Sequence, residues 1–204
     1  MGDFLKGKNK HMNLGETLYV TNRKEWRTWL ARHHDRAKEI WLVYYRKTSG
    51  KPRISYNDAV EEALCYGWID STVKGIDGDR FAQRFSPRKR TSGLSQMNKE
   101  RIRRLIAKNK MTQAGLAAIA HVFDLAAEKD HDVVIPPDIL EAVKADRQTW
   151  ANFQRFPESY RRIRSAFVES GKRRGHAEFQ RRLDHFLRMT AKNKRFGYVP
   201  EMRD

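Results

Sequence analysis

The chain of 204 residues has one cysteine, Cys65, six prolines and twelve glycines that lie singly rather than in runs. A lone cysteine excludes an intramolecular disulfide and suits a reducing compartment, so the cytoplasm is the expected location. No run approaches the 18 consecutive apolar residues of a membrane-spanning helix, so no transmembrane segment is expected. The stretch before Gly15 has lysines but no apolar run or small-residue cleavage site, so it does not read as a signal peptide. Scattered glycines leave no phosphate-cradling loop. With one cysteine and seven dispersed histidines (His11, His33, His34, His121, His131, His176, His185), no zinc-ligand spacing arises. No metal and no cofactor are therefore expected. Acidic residues are also short: 25 Asp and Glu face 42 Lys and Arg, a formal charge of +17. That excess favours anionic partners, whether a small anionic ligand, nucleic acid or an acidic protein. It serves equally well to keep a surface solvated.

What is present reads as an ordinary core, with 39% apolar and 11% aromatic residues. Asn22 and Glu25 have capping-box spacing and open a helix to about His33, with Trp26, Trp29 and Leu30 on its apolar face. Residues 39–46, "EIWLVYYR", are rich in β-branched and aromatic side chains and predict a central strand buried on both faces. After the loop at 47–53, Ser55 and Asp58 form a second capping box. Ala59, Val60, Ala63 and Leu64 form the inward face of that helix, and Gly67 ends it. Two strands, "WIDSTVKG" and "RFAQRFS", flank an Asp77-Gly78 turn. Ser95 begins a helix to about Lys108 with Ile102, Leu105 and Ile106 inward. From Thr112 onward the pattern is helical: 113–129, Pro137 to Lys144, a helix capped by Asp146, one starting at Pro157, and His176 to Ala191. Phe179, Leu183, Phe186 and Leu187 give the last its amphipathic face.

The expected fold class is α+β: a small, mostly antiparallel sheet with packed helices, then an all-helical C-terminal part. Residues 1–15 are expected to be disordered, or in part an expression remnant. Residues 16–130 read as the α+β domain and 131–204 as a basic helical region. The oligomeric state is not legible.

Two groups of residues are candidates for function. The first surrounds the two strands and the next helix start: Lys47, Trp68, Asp70, Ser71, Arg84, Arg88, Ser92, Ser95 and Asn98. Cations near exposed backbone N–H groups make an anion site there, although Ser95 is equally an ordinary N-cap. The second is the basic C-terminal region, where Arg161, Arg164, Lys172, Arg173, Arg174 and Arg181 form a nucleic-acid candidate. Arg161 and Arg164 are expected to share a face away from Tyr160, Ile163 and Phe167. The same charges also describe solvated helix faces whose stems cover apolar surface, and no helix-turn-helix or RNA-recognition pattern separates the two. Catalysis is the weaker expectation. Cys65 reads as a buried structural thiol, His121 as a partly buried helix residue, and Asp70, Ser71 and Arg88 as the only grouping on which an enzyme would rest.

Three stretches carry a resemblance. "YNDAVEEALCYGWIDS" (Tyr56–Ser71), "RFSPRKRTSGLSQMNKERIRRLIAKNKMTQAG" (Arg84–Gly115) and "FPESYRRIRSAFVESGKRRGHAEFQRRLDHFL" (Phe156–Leu187) are similar to the YdeI/OmpD-associated family, also called bacteriocin-protection proteins. The resemblance covers roughly residues 18–195. It places Lys47, Tyr56, Cys65, Gly67, Trp68, Asp70, Ser71, Phe85, Pro87, Arg88, Ser92, Ser95 and Asn98 on the family's recurrent pattern. Where the family often shows tryptophan after its serine, this chain has Gly93-Leu94. The resemblance implies a bacterial stress or bacteriocin-protection role, linked to envelope stress and resistance to cationic peptides. It brings no established catalytic activity and no agreed role for any residue.

Overall fold

A computed structural model describes residues 14–124 and 134–197. Asn22 caps α1 (Arg23–His33) by accepting from the Glu25 N–H, and the Glu25 carboxylate returns to the Thr21 N–H at 2.8 Å and the Asn22 side chain. Ser55 caps α2 (Tyr56–Cys65) in the same way, accepting from the Asp58 N–H. Asp58 itself turns outward to Arg23 at 2.8 Å. Each cap satisfies a backbone donor that a helix start leaves without a partner.

The sheet is four-stranded, in the order β1-β2-β4-β3. Here β1 is Thr17–Tyr19, β2 Ile40–Tyr45, β3 Trp68–Gly75 and β4 Arg80–Pro87. β2 pairs antiparallel with β4, and β4 with β3, while β1 lies parallel to β2. The fold is thus α+β, with a mostly antiparallel sheet. The edge strand β1 has no counterpart in the sequence reading, because three residues are too short to show a period of two. The β3–β4 hairpin turns where expected, but by Asp77 rather than by a left-handed glycine: its carboxylate accepts from the Asp79 and Arg80 N–H groups.

Contacts divide the chain into two compact units: residues 1–92 with 109–119, and residues 93–108 with 120–204. This differs from a simple boundary near residue 130. In the first unit, Trp26, Leu30, Leu42, Leu64 and Phe85 are buried between the sheet and the two helices. The Trp26 ring meets Phe85 edge-on at 5.5 Å and stacks on the half-buried Trp29 at 5.3 Å. Aromatic pairs of this kind contribute roughly 0.5–1.5 kcal/mol beyond burial. α4 (Gln113–Ile119) closes on the end of α2, where the Cys65 carbonyl accepts from the Thr112 N–H and hydroxyl at 3.1 and 2.6 Å. Gly115 permits that approach, since a Cβ there would sit 2.2 Å from the Cys65 oxygen. The predicted helix 113–129 therefore ends at Ile119, with a turn following; residues 125–129 lie outside those described. His121 is exposed on that turn, not partly buried on a helix.

The second unit is helical: α3 (Gln96–Ala107), α5 (Pro137–Lys144), α6 (Arg147–Arg155), α7 (Glu158–Glu169) and α8 (His176–Ala191). Ile139, Val143, Phe153, Tyr160, Leu183 and Phe186 are among its buried core. Asp146 caps α6 by accepting from the Thr149 N–H at 2.7 Å. Asn152 donates to the Thr190 and Ala191 carbonyls at 3.0 and 3.1 Å, satisfying the end of α8.

Candidate functional site

Strand alternation separates the residues expected to make one pocket in the first unit. Asp70 stands opposite Phe85 in the β3–β4 register, on the face that the helices cover. Its carboxylate accepts from the Tyr56 hydroxyl at 2.8 Å and the Gln83 amide at 3.3 Å. Ser71 and Arg84 belong to the opposite face, where Arg84 donates to Glu39 at 2.8 and 2.6 Å and to the Ser71 hydroxyl at 3.4 Å. Hydrogen bonds from Arg84 and from the Trp41 indole hold the Glu39 carboxyl below its ordinary range. Asp70 and Ser71 thus take partners on opposite faces of the sheet, beside an irregularity in the register between Asp70 and Val73.

The remaining members have local partners. Trp68 is 1% exposed and donates its indole N–H to the His34 carbonyl at 3.1 Å, so it is core rather than a pocket wall. Lys47 is exposed on a 3₁₀ turn, Lys47–Ser49. Arg88 is buried and donates to the Ser92 carbonyl at 3.2 Å. Ser95 and Asn98 belong to the second unit: Ser95 caps α3, accepting from the Asn98 N–H, and the Asn98 side-chain oxygen accepts from Arg101 at 2.8 Å. Cys65 is buried as expected, and burial pushes its thiol up to about 11, with the Glu62 charge adding to the effect. A thiol so shifted is a poor nucleophile. Sequence reading missed Tyr44, whose buried hydroxyl has no hydrogen-bond partner among the described residues.

The C-terminal cations are not one face. Arg164 is 6% exposed, with its guanidinium 4.2 Å from the Phe196 ring centre and 5.6 Å from that of Phe167. This corrects the expectation that it points away from the aromatic side. Phe167, expected inward, is 45% exposed. Arg161 lies half-buried across Phe153, 5.6 Å from the ring centre. Lys172 is held between Asp138 and Glu169, 2.8 Å from each. Arg173 and Arg174 are exposed on the 3₁₀ turn Lys172–Arg174. Arg181 donates to Glu178 at 2.9 Å through Nε and through Nη2.

The concave surface of the second unit is built instead on α3, α7 and α8. Three adjoining hollows share Met97 and Ile163. One, of about 280 Å³, is lined by Glu100, Arg101, Arg103, Arg104 and Arg162. The second, about 460 Å³, has Arg164, Arg181, Arg182, His185, Phe167 and Phe196 in its wall. The third, about 400 Å³, runs past Ser95 and Ser170 to Arg173. Glu100 is the single carboxylate among these linings. Burial alone would raise its pKa; hydrogen bonds from Arg162 and Gln96 and the charges of Arg103 and Arg162 outweigh that and hold it ionised. Arg162 donates to it at 2.6 and 3.1 Å. Arg182 is buried, donates to Glu178, the Phe167 carbonyl and the Ser170 hydroxyl, and lies 4.2 Å from the Phe167 ring centre. The arginines of α3 were passed over because "ERIRRLIA" reads as an amphipathic helix with a solvated side. Nothing in that spacing says another basic helix faces it.

Among the described residues no helix is long and apolar enough to cross a membrane. Residues 18–118 match a domain of unknown function (DUF8412). No curated protein and no solved structure matches the chain. The "ALCYGWIDS" run and the arginine-rich α3 both fall within the DUF8412 match. Residues 132–193, which contain α5 to α8, match the family described as Bacteriocin-protection, YdeI or OmpD-Associated.

Proposed function

We propose that this bacteriocin-protection-type protein works by binding an anionic ligand or partner through the arginine-lined surface of α3, α7 and α8, in a reducing cytoplasm and without catalysing a reaction. The observation that carries the reading is the charge of that surface. Arg101, Arg103, Arg104, Arg162, Arg164, Arg173, Arg181 and Arg182 converge on hollows whose linings include one carboxylate. Guanidinium groups held in place by packing lose little entropy on meeting a phosphate or carboxylate. A surface of this sign repels a cationic peptide, so sequestering one is the poorer account of protection. The buried thiol of Cys65 agrees with a reducing compartment.

The test is a thermal-shift and calorimetric screen with inorganic phosphate, sugar phosphates and nucleotides at about 50 mM salt, where charge pairing is strongest. At least one is expected to bind the wild type and to bind an Arg104→Ala/Arg173→Ala variant more weakly. If no anion binds, or if the variant binds as well as the wild type, the reading falls. A nucleic-acid partner would show instead as affinity for duplex or single-stranded DNA or RNA that drops steeply with salt.

A further inference from the structure

The second hollow differs from its neighbours in chemistry. Its cations, Arg164, Arg181 and Arg182, stand beside two aromatic rings, Phe167 and Phe196, and one imidazole, His185. The Phe196 ring meets His185 edge-on at 4.5 Å, and the Phe196 N–H donates to the Tyr160 hydroxyl at 3.3 Å, which holds that ring at the mouth. Phe167 remains 45% exposed although Arg164 and Arg182 both lie over it. An exposed ring flanked by guanidinium groups offers one surface to an apolar plate and another to a negative charge. The volume, about 460 Å³, lies in the range of small-molecule sites.

We propose that this hollow between α7 and α8 is a binding site for a small aromatic anion, an aryl phosphate, sulfonate or carboxylate, whose ring packs on Phe167 and Phe196 and whose charge meets Arg164 and Arg181. The proposal deepens the anion-binding reading and rests on it. His185 adds a proton linkage. Its neighbours in charge are Arg164 from α7 and Arg181 and Arg188 from its own helix. Arg188 approaches Nδ1 at 3.0 Å, and since a guanidinium only donates, Nδ1 accepts and Nε2 carries the proton. Partial burial, then these three cations, hold His185 below its ordinary value and neutral near pH 7. An anion in the hollow offsets the cations and favours the imidazolium. Binding therefore takes up a proton, and affinity rises as pH falls through the bound-state pKa.

The probe is 1-naphthalenesulfonate, which stays ionised over the whole range, so that any pH dependence belongs to the protein. It is compared by calorimetry with inorganic sulfate and with 1-naphthol. The sulfonate is expected to bind about tenfold more tightly than either, and Phe196→Ala to cut that advantage by roughly three- to tenfold, the scale of one aromatic contact. Phe167→Ala, at an exposed position, repeats the test should the first variant fail to fold. From pH 8 to pH 5.5 the wild type is expected to gain affinity by roughly a few fold. His185→Gln keeps a neutral donor and flattens that profile. If sulfonate and sulfate bind equally, or if both phenylalanine variants keep the selectivity, the aromatic site is overturned while general anion binding stands. A wild-type profile that is flat with pH overturns the role of His185. If neither anion binds, both proposals fall together.

Discussion

Each unit buries one glutamate between two arginines, and the surroundings of the two differ. In the first, Glu62 takes Arg23 at 2.8 Å and Arg27 at 2.7 Å, and Arg23 also reaches Asp58 and Glu61. The cations there are matched by acids one helical turn apart on α2. In the second, Glu100 takes Arg103 and Arg162, and among the described residues Arg162 also meets the exposed Glu158 at 3.3 Å. Arg101, Arg164 and Arg182 are buried in the same unit. Arg182 meets the Glu178 carboxylate at 2.6 Å, and Arg164 lies over the Phe167 and Phe196 rings. The Glu62 cluster sets three acids of α2 against two arginines, whereas the Glu100 cluster sets one buried and one exposed carboxylate against two.

The sharpest way to break this comparison is to neutralise each glutamate. Glu100→Gln is expected to cost about 3 kcal/mol, because removing one partner leaves a buried cation behind. Glu62→Gln should cost about half of that, since Arg23 keeps two acids. Urea unfolding with hydrogen exchange localises each loss, and equal costs would end the distinction. Acid gives the same contrast without mutation. The Glu100 carboxyl is held below its ordinary 4.5 in the folded chain, so its contribution is complete above that value. It is lost as pH falls through the lower, folded value. Amides of α3 and α7 should therefore lose protection in that acid window in the wild type, and less steeply in Glu100→Gln.

Next in size is Gly115→Ala, a change in the first unit alone. Its Cβ would meet backbone at 2.2 Å, so α4 must move off α2, at about 2 kcal/mol. The thermal melt should fall while affinity of the second unit for anions is unchanged. Asn22→Ala removes the cap of α1 and is expected to cost about 1 kcal/mol by chemical denaturation. Smallest in stability is Arg173→Ala, within about 0.5 kcal/mol because the side chain is exposed. It should nevertheless weaken anion binding, which separates surface charge used for a partner from charge used for folding.

Much of the fold is legible because its signals are local. The caps at Asn22, Ser55, Ser95 and Asp146, the apolar stretch of β2 and the spacing of Phe179, Leu183 and Phe186 each act within a few residues, and the structure keeps them all. The candidate site was less legible. Asp70, Ser71 and Arg84 are near in sequence or register, yet the pleat sends Asp70 to one face and the other two to the reverse. Gln83 and Tyr56, which do meet Asp70, come from another strand and a helix start. His185 carried no signal: Arg181 and Arg188 stand one turn away on its own helix, but Arg164 and Phe196 are brought to it by folding.

The sequence by itself determined the charge, most of the secondary elements and the α+β class, because composition, capping and periodicity act at short range. Only the tertiary structure decided which arginines face one another. The arginines of α3 are separated from those of α7 and α8 by about sixty to eighty residues, and no spacing rule spans that distance. An arginine's role depends on whether its guanidinium meets a carboxylate, an aromatic ring or solvent. That is a property of packing, and it turned a general basic excess into one arginine-lined surface.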